Sequence, residues 1–198
     1  MKKNVSGRMA VCLAVLLFST AAAAFEAVHP NGGKTPATTG TVQVAFTPGD
    51  DAAGLIVEAI EHAQKQVLVQ AYSFTHREIA QALVSAKRRG VAVQVIADAE
   101  QARKTDHGQV AAVAARGVPS YLDGLHDSAH NKVIIIDPET AHPVLITGSY
   151  NFTHAAQRRN AENLLIFRNN RELTAAYLEN WQRHREHALP YTGRGKPW

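Results

Sequence analysis

The stretch "AHNKVIIIDPETAHPVLITGSYNFT", residues 129–153, decides how the rest of the chain is read. Two apolar runs, 133–136 and 144–146, flank "PETAHP", which carries two prolines and polar residues. Short β-branched runs bounded by such residues read as two strands around a turn. Residues two apart on a strand share a face. His130 and Lys132 therefore point at one spot. Ser149 and Asn151 follow Gly148 at the end of the partner strand, where they can join it. A titratable ring, a fixed cation and neutral donors suit a tetrahedral anion such as a phosphodiester.

Two acids compete for a role beside that spot. Asp137 lies seven residues beyond His130. That odd offset turns it to the opposite face, where it is expected to tie the strand end to a neighbouring element, with a direct catalytic role as the alternative. Glu162 opens the next apolar strand and is the expected carboxylate partner of the His130 ring. A carboxylate on one ring nitrogen fixes the tautomer and supports nucleophilicity at the other. The alternative for Glu162 is an exposed acid at a strand start.

Outward from the hairpin, strands and helices alternate. "TVQVAF" (41–46), "VLVQAYSFT" (67–75), "VAVQVIAD" (91–98), "VPSYLD" (118–123) and "AENLLIFRN" (161–169) read as strands. Leu55, Ile56, Ala59, Ile60 and Ala63 are spaced as one face of a helix. "REIAQALVSAKRRG" ends in basic residues and Gly90, as a helix C-terminus should. A short helix is predicted in "HGQVAAVAARG", and a short helix or loop in "NFTHAAQRRN". A terminal helix carries Leu173, Ala176, Tyr177 and Trp181 as its apolar stripe. The expected class is α/β, a mixed, largely parallel sheet flanked by helices on both faces.

The first 24 residues stand apart. Lys2, Lys3 and Arg8 precede an apolar run too short to span a bilayer comfortably, and "AAAA" follows. This reads as a secretory signal peptide cleaved after Ala24, with an uncleaved anchor helix as the alternative. Residues 25–40, rich in Gly, Pro and Thr, read as a flexible N-terminal arm. Residues 41–198 are expected to form a single domain, periplasmic or secreted. Residues 1–24 hold three of the 21 basic residues and none of the 17 acidic ones, so the remainder carries +1 rather than +4. Charge is uneven: eight Lys and Arg against four Glu follow residue 150. Arg158 and Arg159 are candidate contacts to a nucleic-acid backbone, or simply solvated. The only cysteine, Cys12, lies in the leader, which excludes disulfides and thiol chemistry from the remainder.

The motif "HNKVIIID…GSYN" resembles the HKD motif of the phospholipase D superfamily, H-x-K-x4-D-x6-G-S-x-N. His130, Lys132 and Asp137 match at the family spacing, and Gly148, Ser149 and Asn151 match in order. Ten residues separate Asp137 from Gly148 instead of six, and the surplus falls in the turn, where insertion is tolerated. "NAENLLIF" and "VQAYSFT" are also similar to the small bacterial endonuclease branch. The resemblance covers roughly residues 41–185. It implies a covalent mechanism in which one motif's histidine attacks phosphorus and a second motif's histidine protonates the leaving oxygen. Lys and Asn side chains hold the phosphoryl oxygens, and no metal or other cofactor is required. No metal-ligand cluster is apparent in the sequence near the motif.

That chemistry needs two motifs, and the chain has one. No second H-x-K occurs. A C2 homodimer sharing one site across its axis is the expected answer. The expected activity is an endonuclease acting on DNA, with RNA as a further substrate. A phospholipase D cleaving headgroup esters is the alternative, and a non-catalytic DNA-binding module a third reading. His126 is a candidate to line the cleft; Tyr72 and Phe74 read as core or cleft wall.

Overall fold

The computed structural model describes residues 34–37, 39–105 and 108–193. The expected leader, most of the arm, His107, Arg194 and Lys196 lie outside them. The described residues from Pro36 onward form one compact unit. Its elements, in order, are β1 (Thr41–Thr47), α1 (Ala52–Glu61), β2 (Gln66–Ala71), α2 (Arg77–Arg88), β3 (Ala92–Asp98), α3 (Ala99–Lys104), α4 (Gln109–Ala114), β4 (Ser120–Asp123), β5 (Lys132–Ile136), β6 (Val144–Gly148), α5 (His154–Arg158), β7 (Glu162–Arg168), α6 (Arg171–His187) and β8 (Leu189–Pro190).

One sheet of eight strands runs β1-β7-β6-β5-β2-β3-β4-β8. The hairpin read from the sequence forms, with Ile134 opposite Ile146 and Ile136 opposite Val144. Alternation then sorts its side chains. Ile134, Ile136 and Ile146 join the core under α1, α2 and α4, while Val133, Ile135 and Leu145 pack against Trp181 of α6. Each such buried side chain contributes ~1.5–3 kcal/mol. Truncating Ile134, which is fully buried, to alanine would cost about 2–5 kcal/mol.

The mixed sheet with helices on both faces is as expected, but its parallel share is smaller. Only β2–β3 and β3–β4 pair in parallel. The other five neighbours are antiparallel. Helical crossovers serve only the β2–β4 segment, while the β5–β6 connection is a hairpin loop over residues 137–143 that reverses the strand. Two small elements were not anticipated. Helix α3 is capped by the Asp98 carboxylate, which accepts from Gln101 N at 2.7 Å. Strand β8 pairs two residues with β4.

The last residues of the arm are held rather than loose. Ala37 N donates to the Glu172 carboxylate at 2.7 Å, and Asn170 Nδ2 donates to Ala37 O at 3.2 Å. Among the described residues, no helix is long and apolar enough to cross a membrane.

Candidate active site

Strand register brings the candidate residues to one end of the sheet. Ala71, at the C-terminal end of β2, pairs with Lys132 at the start of β5. Tyr72 N donates to Asn131 O at 2.8 Å and extends that pairing toward His130. Gly148 closes β6 opposite Leu164, so Ser149 and Glu162 arrive at the same end. Gly148 has φ 144°, and a Cβ there would collide with Asn163 O. Only glycine allows β6 to approach β7 this closely while Ser149 N and Tyr150 N both bond Asn163 O.

His130 is exposed, whereas Lys132 is only 6% exposed. Lys132 Nζ lies 2.9 Å from His130 Nδ1 and donates to His130 O, also at 2.9 Å. The Lys132 contact occupies the Nδ1 side of the ring, so Nε2 is the ring nitrogen left to meet a substrate. Lys132 Nζ also sits 4.8 Å from the centre of the Tyr72 ring, which lies 4.2 Å from the His130 ring. Burial pulls the Lys132 ammonium down to about 8, opposed by the negative charge of Glu162. The lysine thus remains largely cationic at neutral pH while being poorly hydrated, and an anionic ligand would relieve both conditions.

The two acids take different places. Asp137 is not brought into this cluster. It lies beyond the opposite end of β5, five residues from Lys132, or about 16 Å at strand rise. Its carboxylate accepts from Gln64 N at 2.8 Å, Lys65 N at 2.7 Å and Gln66 N at 2.8 Å, fastening β5 to the entry of β2. A direct catalytic role for Asp137 is therefore corrected to a structural one, as its strand parity implied.

Glu162 reaches the right end of the sheet but does not pair with His130 within the chain. Its carboxylate accepts from Ser149 Oγ at 2.6 Å and Asn160 Nδ2 at 3.0 Å. The reason is spacing: β6 lies between β5 and β7. Two inter-strand steps are about 9–10 Å, and Ser149 intercepts the carboxylate first. Ser149 Oγ in turn accepts from Asn163 N at 3.0 Å, so its hydroxyl is spent within the chain. Asn151 is half-buried, and its carboxamide oxygen has no hydrogen-bond partner. That oxygen can only accept, while the Nδ2 of the same amide remains a donor for an anionic ligand.

A supporting layer was missing from the sequence reading. Asp98, at the end of β3, accepts from Ala129 N at 2.8 Å and so fixes the backbone beside His130. The helix it caps carries Gln101, whose Nε2 donates to Tyr72 Oη at 3.1 Å. Asp98 thus holds His130 from the backbone and, through Gln101 and Tyr72, from the ring face. His126 does not join the His130 cluster. It packs instead with Asp123, His184 and His187, a group that could hold a metal ion.

The arrangement has relatives. A family model described as "Cardiolipin synthase, PLD-like domain" matches residues 56–185. A phospholipase D of Rickettsia felis is 37% identical over 140 residues, covering 71% of this chain and 67% of the relative. Nuc from Salmonella typhimurium, a phospholipase D family member of known structure, matches with a TM-score of 0.71 at 36% identity, covering 77% of this chain and 99% of that one. NucT from Helicobacter pylori matches with a TM-score of 0.67 at 25% identity, covering 76% and 99%. The chain spans about two thirds of the length of the rickettsial relatives it matches.

Proposed function

The chain belongs to the phospholipase D superfamily, and from that premise we propose that it is an exported endonuclease, hydrolysing DNA, and RNA as a further substrate, without a catalytic metal. The observation that carries this reading is the pairing of a buried, poorly hydrated Lys132 with the exposed His130 ring at 2.9 Å. It is a ready recipient for a phosphodiester oxygen. The solved relatives Nuc and NucT, covered at 99% of their lengths, favour this small branch of the superfamily. Exposed Arg158 and Arg159, on the segment that follows Asn151, supply backbone contacts for a polynucleotide.

The site is completed by a second copy of the chain. Val42, Val44 and Phe46 on edge strand β1 are 49%, 46% and 61% exposed and share one face. That apolar strip supports a C2 interface bringing two His130 rings together. In the first step, one His130, in the tautomer with its proton on Nδ1, uses the Nε2 lone pair to form a bond to phosphorus as the bond to the leaving oxygen breaks. The other His130 gives that oxygen its Nε2 proton. In the second step water attacks phosphorus, the nitrogen–phosphorus bond breaks, and the second ring takes the water proton. Lys132 Nζ and Asn151 Nδ2 donate to the non-bridging oxygens. Glu162 acts through Ser149 and Asn160 as a positioning residue.

A lipid-directed phospholipase D is the second reading, favoured by the rickettsial relatives' name and by Leu125, 70% exposed in the loop that leads to His130. The test assays plasmid nicking and headgroup release from phosphatidylcholine vesicles side by side, briefly, well below the melting temperature and in excess EDTA. Nicking by the wild-type chain, none by His130→Ala, and an acid-quenched phosphohistidine on His130 are expected. Headgroup release with intact plasmid would reverse the order. Full nicking by His130→Ala would refute the mechanism. Light scattering on the same sample tests the dimer.

A further inference from the structure

We propose that Asp123, His126, His184 and His187 form a binding site for a divalent transition-metal ion of the zinc class, which clamps the end of α6 to the loop that delivers His130. Nothing in the proposed hydrolysis uses these residues. Asp123 is the last residue of β4, and its side chain is fully buried. His184 and His187 lie three apart on the last turns of α6 and so share a face. His126 comes from the loop between β4 and β5. Two stretches of chain, with Asp123 and His184 61 residues apart, thus deliver four donors to one point.

The geometry is close to that of a coordination shell. His184 Nδ1 lies 2.7 Å from Asp123 Oδ2, and His187 Nε2 lies 3.1 Å from the same oxygen. His126 Nδ1 lies 3.1 Å from Asp123 Oδ1. All four donor atoms fall within 4.8 Å of one another. A tetrahedral zinc site with bonds of about 2.0–2.2 Å needs donor separations of about 3.3–3.5 Å. Small side-chain rotations would bring the shell to that size.

Two further observations point to a ligand rather than to a self-contained hydrogen-bonded cluster. His187 Nε2 is buried and makes no hydrogen bond, although it sits beside the Asp123 carboxylate. It stands 3.1 Å from that carboxylate but outside hydrogen-bond geometry. Three rings also crowd one carboxylate, with centroids 4.9, 5.3 and 5.4 Å apart. A cation among them would be shared by the three ring nitrogens and the carboxylate. Three imidazole nitrogens and one carboxylate oxygen select zinc-like ions over magnesium or calcium, which prefer oxygen alone. Four protein donors close the shell, so the role is structural.

The consequence for the active site follows from chain geometry. His126 precedes His130 by four residues, and Asp98 already holds Ala129 between them. Fixing His126 to β4 and α6 leaves the loop little freedom before the nucleophile. The test uses the untagged full chain, stripped with chelator, dialysed against Zn²⁺ and then against metal-free buffer. One zinc per chain by mass spectrometry, a tetrahedral Co²⁺ visible spectrum and a melting temperature that rises with Zn²⁺ are expected. The pair His184→Gln and His187→Gln together should lose all three, while His142→Gln, an exposed histidine elsewhere, should keep them. Should the double variant fail to fold by circular dichroism, His126→Gln replaces it and should weaken Zn²⁺ affinity at least roughly tenfold. Wild-type protein that retains no zinc, or variants that bind it as tightly, would overturn the proposal. None of these readouts passes through phosphodiester hydrolysis, so they stand or fall apart from the nuclease reading.

Discussion

Replacing Lys132 with methionine should make the protein more stable and inactive. The lysine is buried, and burial lowers its ammonium from 10.5 to about 8. At about 1.4 kcal/mol per pH unit, that fall corresponds to an upper limit of about 3.5 kcal/mol by which the charged form opposes folding. The exposed ring of His130 lets water reach the head group, and methionine loses the bond to His130 O and the contact with Tyr72. A net gain of about 1 kcal/mol is left, or roughly 2–4 °C in melting temperature for a chain of this size. The folded pKa lies below the unfolded one, so between about 8 and 10.5 the unfolded chain binds more protons and wild-type stability rises with pH. The advantage of Lys132→Met is therefore full below about pH 8 and is lost, then reversed, as pH rises from there toward 10.5. Urea denaturation of both proteins at a series of pH values measures it, and plasmid nicking should fall by roughly 100-fold or more in the same variant. A variant less stable than wild type at neutral pH would refute the reasoning, because the ammonium would then be a net stabiliser where it sits.

Asp137→Asn removes the charge that three backbone N–H groups share, and should cost about 2–3 kcal/mol in urea denaturation while the folded fraction keeps its turnover. Gly148→Ala meets both the φ of 144° and the Asn163 carbonyl, so it should lose about 2–4 kcal/mol and, by moving Ser149, lose activity as well. His76 is buried, and that burial, with the neighbouring His154 ring, pulls it below the ordinary imidazole value of 6.5. Its folded pKa is the lower one, so wild-type stability is full above about 6.5 and falls as pH drops below it. The denaturation midpoint of His76→Gln should depend less on pH there, and an equal slope in both proteins would exclude His76 as the source.

How much of this was legible in the sequence depends on the range over which each interaction acts. The β5–β6 hairpin and the opposite facing of Asp137 were legible, because strand alternation is a local rule. The preponderance of antiparallel pairs was not, since an apolar run does not encode the direction of its neighbour. The Glu162 partner failed for a related reason. Its position in the chain gave no sign that β6 would intervene and offer Ser149 first. Helix α3 escaped notice because it is six residues long and depends on the Asp98 cap more than on an apolar stripe. The cluster around Asp123 was the least visible, for Asp123 and His184 stand 61 residues apart and no spacing rule joins them.

The turn between β5 and β6 sits at the end of the sheet away from His130, and the ten residues between Asp137 and Gly148 exceed the usual pattern by most of its length. This makes it a natural grafting point. A short epitope or a fluorophore attachment residue placed at Glu139 to Ala141, beyond the Asp137 anchor, would travel with the folded sheet yet stay a full strand length from the chemistry. The molecule thus carries its own addressable handle, one through which it could be tethered to a surface or followed in a cell with the His130 end of the sheet left unobstructed.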